Sequence, residues 1–107
     1  MTTFDERKNA FENKFAHDEG LRFKAESRRN KLLGLWAAGL LGKSGADAEA
    51  YAREIVAADF EKAGDSDVFD RIRRDLDAAK VEQSDHQIRR TMDELMQKAI
   101  EQISAEK

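Results

Sequence analysis

No proline occurs anywhere in this 107-residue chain. That absence constrains the fold more than any other feature, because proline is the residue that most reliably breaks a helix. Apolar residues recur at steps of three and four, and no stretch alternates with a period of two, so helices are expected and a sheet is not. Hydrophobic residues are 40% of the chain and charged residues 38%, enough for a modest core beneath a heavily solvated surface. A chain of this length makes one small domain and at most a tail. Cysteine is absent, which excludes disulfides, thiolate metal sites and cysteine nucleophiles.

Four helical segments follow one another. The first is expected from residue 3 to about 41, opened by the capping-box spacing of Thr3 and Glu6, interrupted at Gly20 and ended by Gly42. Ser44 and Asp47 restart the chain for a second helix, with Tyr51, Ile55, Phe60 and Ala63 on one face and Gly64 as its stop. Asp65, Ser66 and Asp67 cap a third, where Phe69, Ile72, Leu76 and Ala79 form the stripe. Ser84 and Gln87 make a capping box for a fourth, striped by Ile88, Met92, Leu95, Ala99 and Ile103. Connections at 42–45, 64–66 and 82–84 are short enough to set consecutive helices side by side and antiparallel. The fold class is therefore all-α: a four-helix bundle over residues 21–107, preceded by a mobile, helical or disordered N-terminal segment over residues 1–20. The core is expected to take Leu32, Trp36, Leu40, Tyr51, Ile55, Phe60, Phe69, Ile72, Leu76, Ile88, Met92, Leu95 and Ile103.

The N-terminal segment carries the functional signal. Phe4, Phe11 and Phe15 lie within about twenty degrees of one line on a helix of 3.6 residues per turn. Asp5, Glu6, Arg7, Lys8, Glu12 and Lys14 surround that line with charges of both signs. The stripe loses phase at Gly20, which separates it from the bundle's seam. A lone helix of this length is marginal in water and suits a segment that becomes helical on docking in a groove. The competing reading, that it packs back on its own domain or is a solvated tail, stays open on spacing alone.

The sequence resembles the zeta subunit of the alphaproteobacterial F-type ATP synthase, an ATPase inhibitor family. The resemblance rests on Met1-Thr2-Thr3-Phe4-Asp5-Glu6-Arg7, Lys14-Phe15-Ala16-His17-Asp18-Glu19, and Leu21-Arg22-Phe23-Lys24-Ala25-Glu26. It continues through Arg28-Arg29-Asn30-Lys31-Leu32-Leu33-Gly34-Leu35-Trp36, Ala57-Ala58-Asp59-Phe60-Glu61 and Met92-Asp93-Glu94-Leu95. It implies a non-enzymatic regulatory subunit whose N-terminal segment enters an interface between the alpha and beta subunits, near the central gamma shaft, and blocks rotation in the hydrolysis direction. On that resemblance Phe4, Phe11 and Phe15 are the anchors, with Asp5, Glu6, Arg7, Lys8 and Lys14 meeting partner charges. Weak binding of ADP or ATP is implied as well, with no cofactor. Gly20 and Gly39 depart from the family pattern, which has a helix former and a charged residue there. Gly20 either frees the segment to dock or weakens a helix that must be continuous when bound.

Other signals weigh less. Gly42-Lys43-Ser44 resembles the end of a phosphate-binding loop, but the leading glycine would be residue 37, which is alanine, and no strand precedes it. A helix end followed by a cap is the favoured reading. A phosphate or nucleotide held at Ser44 and Gly45 by amides at the start of the second helix, with Lys43 nearby, is the weaker alternative. Arg22, Lys24, Arg28, Arg29 and Lys31 form a basic run, read first as a solvated face paired with Glu19 and Glu26. With net charge −3 and no recognition motif, nucleic acid is not expected as a partner. His17 and His86 are read as ordinary surface histidines, and no metal-ligand set or catalytic constellation stands out. No secretion signal and no bilayer-spanning stretch occur, so a cytoplasmic protein that does not insert into the membrane is expected. The alternative function is a helical nucleotide-sensing or protein-interaction module without inhibitory activity.

Overall fold

The structure, a computed structural model, describes residues 18–61 and 65–106, apart from the side chains at 59–61 and 65–66. Four helices follow in order: α1 (Glu19–Leu40), α2 (Gly45–Glu61), α3 (Asp65–Ala78) and α4 (Asp85–Ala105). No strand occurs among the described residues, so the all-α, four-helix expectation holds. The capping box expected at Thr3 and Glu6, and the stripe of Phe4, Phe11 and Phe15, lie outside the described residues.

The helices form a diamond in cross-section. α1 and α3 each touch all the others, while α2 and α4 do not meet among the described residues. Leu33, Ala37 and Ala38 of α1 join Tyr51 and Ile55 of α2, Val68, Phe69, Ile72 and Leu76 of α3, and Ile88 and Met92 of α4 in one core. A second, smaller cluster closes the other end, where Ala25 meets Ile103 with Leu21, Met96 and Ile100 around them.

Three expected core residues of α1 prove peripheral. Leu32, Trp36 and Leu40 are only partly buried, and the interior face is instead Ala25, Arg29, Asn30, Leu33, Gly34, Ala37 and Ala38. A helix that touches three neighbours has no single buried stripe, so a search for one apolar line selects the bulky residues at the rim. Leu95 likewise packs on the core from its edge, and Ile103 belongs to the second cluster. Ala79 is exposed because α3 ends one residue before it. The remaining expected core residues with described side chains are buried.

Small residues let α1 and α2 approach. A Cβ placed on Gly34 would lie 2.7 Å from the Cα of Ala52 and 3.2 Å from its Cβ. No side chain fits between those backbones.

Helix ends follow local chemistry. Gly42, at φ +80°, terminates α1 as expected: its amide donates to Gly39 O (3.2 Å) and that of Lys43 to Ala38 O (2.8 Å), the paired bonds of a Schellman turn. The end of α3 repeats these bonds from Lys80 to Asp77 O (3.0 Å) and from Val81 to Leu76 O (2.9 Å). Here Lys80 takes the left-handed position, at φ 59°, where glycine would be unstrained. The capping box of α4 is present, with Gln87 N donating to Ser84 Oγ (3.1 Å) and Ser84 N to Gln87 Oε1 (2.8 Å).

The expected long first helix does not run through residue 18. Asp18 is extended (φ −102°, ψ 108°), and its carboxylate caps α1 by accepting from Leu21 N at 3.0 Å. The break is at Asp18 rather than Gly20, because a carboxylate cap satisfies an end amide and favours the positive end of the helix dipole. Gly20 sits inside the first turn, where its flexibility interrupts nothing.

Candidate functional site

The first described residue is Asp18, the cap of α1. Asp18 fixes where α1 starts, and that end of α1 is packed against the C-terminal part of α4. The candidate anchors Phe4, Phe11 and Phe15 and the charged residues Asp5, Glu6, Arg7, Lys8 and Lys14 all lie outside the described residues.

The basic run in α1 is largely structural. Arg28 donates to Glu106 Oε1 at 2.6 Å and to Gln102 Oε1 at 2.9 Å, and Lys24 Nζ stands 3.7 Å from the other Glu106 oxygen. Lys24 and Arg28 thus clasp the end of α4, because the antiparallel packing brings Glu106 within reach. The Arg28 hydrogen bond holds the Glu106 carboxyl below the usual range, reinforced by the charges of Arg28 and Lys24 and against a smaller desolvation effect. Arg29 is buried, with Nε donating to Asn30 Oδ1 at 2.8 Å. That leaves Arg22 and Lys31 as the exposed cations of the run that form no ion pair among the described residues.

Lys43, Ser44 and Gly45 form the turn between α1 and α2. Ser44 O accepts from Asp47 and Ala48, starting α2, and Gly45 adopts φ +54°. Lys43 Nζ lies 6.0 Å from the centre of the Tyr51 ring, at the outer edge of cation–π range. The arrangement is that of a cap-to-cap junction. His86 is exposed in the first turn of α4, and His17 lies outside the described residues.

The most developed polar cluster is one that sequence reasoning misses. Tyr51 Oη donates to Asp75 Oδ2 at 2.7 Å, and Arg71 Nε donates to the same oxygen at 2.7 Å. The Arg71 guanidinium also lies 5.7 Å from the Tyr51 ring centre and 3.8 Å from Glu54. Burial, then the hydrogen bond to Asp75, pushes the Tyr51 phenol well above its ordinary value. Burial opposes ionisation of Asp75, but hydrogen bonds from Tyr51 and Arg71 and the nearby positive charge outweigh it and leave its carboxyl below the usual range. The i, i+4 spacing of Arg71 and Asp75 is legible in the sequence; the tyrosine from another helix is not. The cluster ties α2 to α3. A second tie joins α3 and α4, where the Arg89 guanidinium lies 4.1 Å from the Phe69 ring centre.

No group of three potential metal ligands occurs among the described residues. None of the described helices is long and apolar enough to cross a membrane. What the described residues define is a small all-α domain whose best-developed polar clusters join one helix to another. The chain belongs to the ATPase inhibitor subunit zeta family, whose sequence profile matches residues 1–102. A protein solved by solution NMR is 47% identical, with a TM-score of 0.71, over 81% of this chain and 99% of that one. No curated protein matches. The family name associates such chains with an ATP synthase as inhibitor subunits.

Proposed function

We propose that this protein restrains ATP hydrolysis by the F-type ATP synthase as a non-catalytic subunit, with residues 1–20 as the inhibitory segment and residues 21–107 as the domain that carries it. The family match across residues 1–102 is the observation that carries this reading, since it spans the N-terminal segment as well as the bundle. The segment enters a groove between an alpha and a beta subunit, close to the gamma shaft. Phe4, Phe11 and Phe15 form its apolar ridge; Arg7, Lys8 and Lys14 meet carboxylates, and Asp5, Glu6 and Glu12 meet basic groups. Burying three phenylalanines contributes about 5–9 kcal/mol, of which ordering the backbone consumes a large part. A deep groove and complementary charge supply the rest. A helix wedged between subunits opposes rotation in the direction that compresses its groove, which gives a one-way block. The protein works on the cytoplasmic face of the membrane, where the synthase head lies.

The test is hydrolysis by the purified synthase head. Full-length protein lowers the rate, and the protein lacking residues 1–19 leaves it unchanged. Equal inhibition by the truncated protein overturns the assignment of the segment.

A further inference from the structure

The buried face of α1 changes character along its length. Leu33, Ala37 and Ala38 belong to the large core, and Leu21 and Ala25 to the small cluster at the other end. Between them Arg29 and Asn30 are buried as well, so a polar layer interrupts the apolar packing of this helix. Asn30 is fully enclosed. Its Oδ1 accepts from Arg29 Nε at 2.8 Å, but its Nδ2 has no hydrogen-bond partner. A buried donor in that position has given up its bonds to water and received none in exchange.

α4 crosses the same boundary. Ile88, Met92 and Leu95 pack with the large core, whereas Met96, Ile100 and Ile103 pack with the small cluster. Next to Ile103, the Ser104 hydroxyl is a second buried polar group without a partner. Little holds this end shut. Among the described residues, Ala25 and Ile103 are the buried members of its cluster. The clasp of Lys24 and Arg28 on Glu106 lies at the surface, where ion pairs contribute little. The large core, in contrast, draws on all four helices.

We propose that residues 19–29 of α1 and 96–105 of α4 open together as one unit, with the Arg29–Asn30 layer as its limit, while the large core stays folded. Opening returns Asn30 Nδ2 and Ser104 Oγ to water, which offsets part of the loss of contact between Ala25 and Ile103. It stops at the layer because the next interior residue, Leu33, is fully buried in the large core. Local opening in contiguous units of this kind supplies the parts of a protein that move. The use of the device rests on the reading of residues 1–20 as the inhibitory segment. α1 is the helix that follows that segment in the chain, and this opening lets its first turns be reshaped without unfolding the bundle.

Native-state hydrogen exchange of the full-length free protein, in low concentrations of urea, tests the proposal. Amides of residues 23–29 and 100–105 share one opening, with protection at least about tenfold below that of residues 34–38 and 69–76. Ile72→Val, in the large core, lowers protection at 34–38 and 69–76 by about fivefold and leaves 23–29 and 100–105 unchanged. Ser104→Ala removes one unpaired hydroxyl and raises protection about tenfold at 100–105 and equally at 23–29, across the helix boundary. Equal loss at all four sets in Ile72→Val overturns the proposal, because this end then opens only by global unfolding. A Ser104→Ala effect that does not extend to residues 23–29 also overturns it, since two helix ends fraying separately show no coupling. So does protection that rises gradually along α1 with no step between residues 29 and 34. No synthase is present, so this outcome and that of the hydrolysis assay on the truncated protein are independent of each other.

Discussion

The closeness of α1 and α2 at Gly34 sets two effects of one substitution against each other. In Gly34→Ala the helix gains about 1 kcal/mol of intrinsic propensity. The new methyl, however, would stand 2.7 Å from the Ala52 Cα, where carbon atoms prefer about 3.5–4.0 Å. The obstacle is backbone, not the end of a flexible side chain, so the helices must separate by about 1 Å. A gap of that size forfeits between a quarter and a half of each affected dispersion contact, and overpacking of this kind costs about 1–3 kcal/mol. Every atom pair across Leu33, Ala37, Ala38, Tyr51 and Ile55 shares the separation, which favours the upper end of that range. The expected net is a loss of about 1–2 kcal/mol, or roughly 0.5–1 M in the urea midpoint. Gly39→Ala in the same helix is the control, because a Cβ there meets nothing within 4 Å. It should be neutral or stabilising by about 0.5–1 kcal/mol. Equilibrium unfolding in urea followed by circular dichroism measures both. A Gly34→Ala protein as stable as its Gly39→Ala counterpart refutes the claim that the backbones meet there.

The Tyr51–Asp75 bond predicts a pH signature. Tyr51→Phe should cost about 1.5–3 kcal/mol at neutral pH, as a hydrogen bond to a charged group does. Since folding depresses the Asp75 pKa, that stabilisation is present above its ordinary value of about 3.8 and is lost as pH falls through the lower folded value. Unfolding curves of both proteins should therefore converge in acid; a constant gap down to pH 2 contradicts the assignment. At the alkaline end the raised Tyr51 pKa destabilises the native protein above pH 10, where an unfolded tyrosine ionises first, an effect Tyr51→Phe should remove. Lys80→Gly should raise stability by about 0.5–1 kcal/mol, because a left-handed non-glycine residue is strained; thermal unfolding measures it, and no gain would argue against that turn geometry.

Local signals in the sequence identify the helices well. Ser84 with Gln87, and Gly42 after Leu41, are short-range chemistry whose partners lie within a few residues, so their role survives any tertiary arrangement. The burial pattern of α1 is not legible, because its position on the short diagonal buries residues on several sides and conceals the period. Lys80 shows a third case: the turn is imposed by the need to bury Val81 beside Leu76, overriding the residue's own preference. Arg28 and Tyr51 find their partners 78 and 24 residues away, distances at which spacing rules say nothing. Gly20 breaks less than its residue type suggests for a related reason, since Asp18 two residues earlier already offers a better place to start. For the candidate site, residue types and spacing suggest an aromatic stripe with a charged rim, an expectation that lies outside the described residues, and spacing says nothing of the surface that would receive it.

Asp18 also has a consequence for heredity. Since the carboxylate of Asp18 caps α1 from within the domain, the capping hydrogen bond at that helix start does not depend on which side chains stand in the seventeen positions ahead of it. On the proposed function, a lineage can therefore vary its inhibitory segment while the start of α1 keeps its cap, and relatives with matching bundles need not share one strength of restraint.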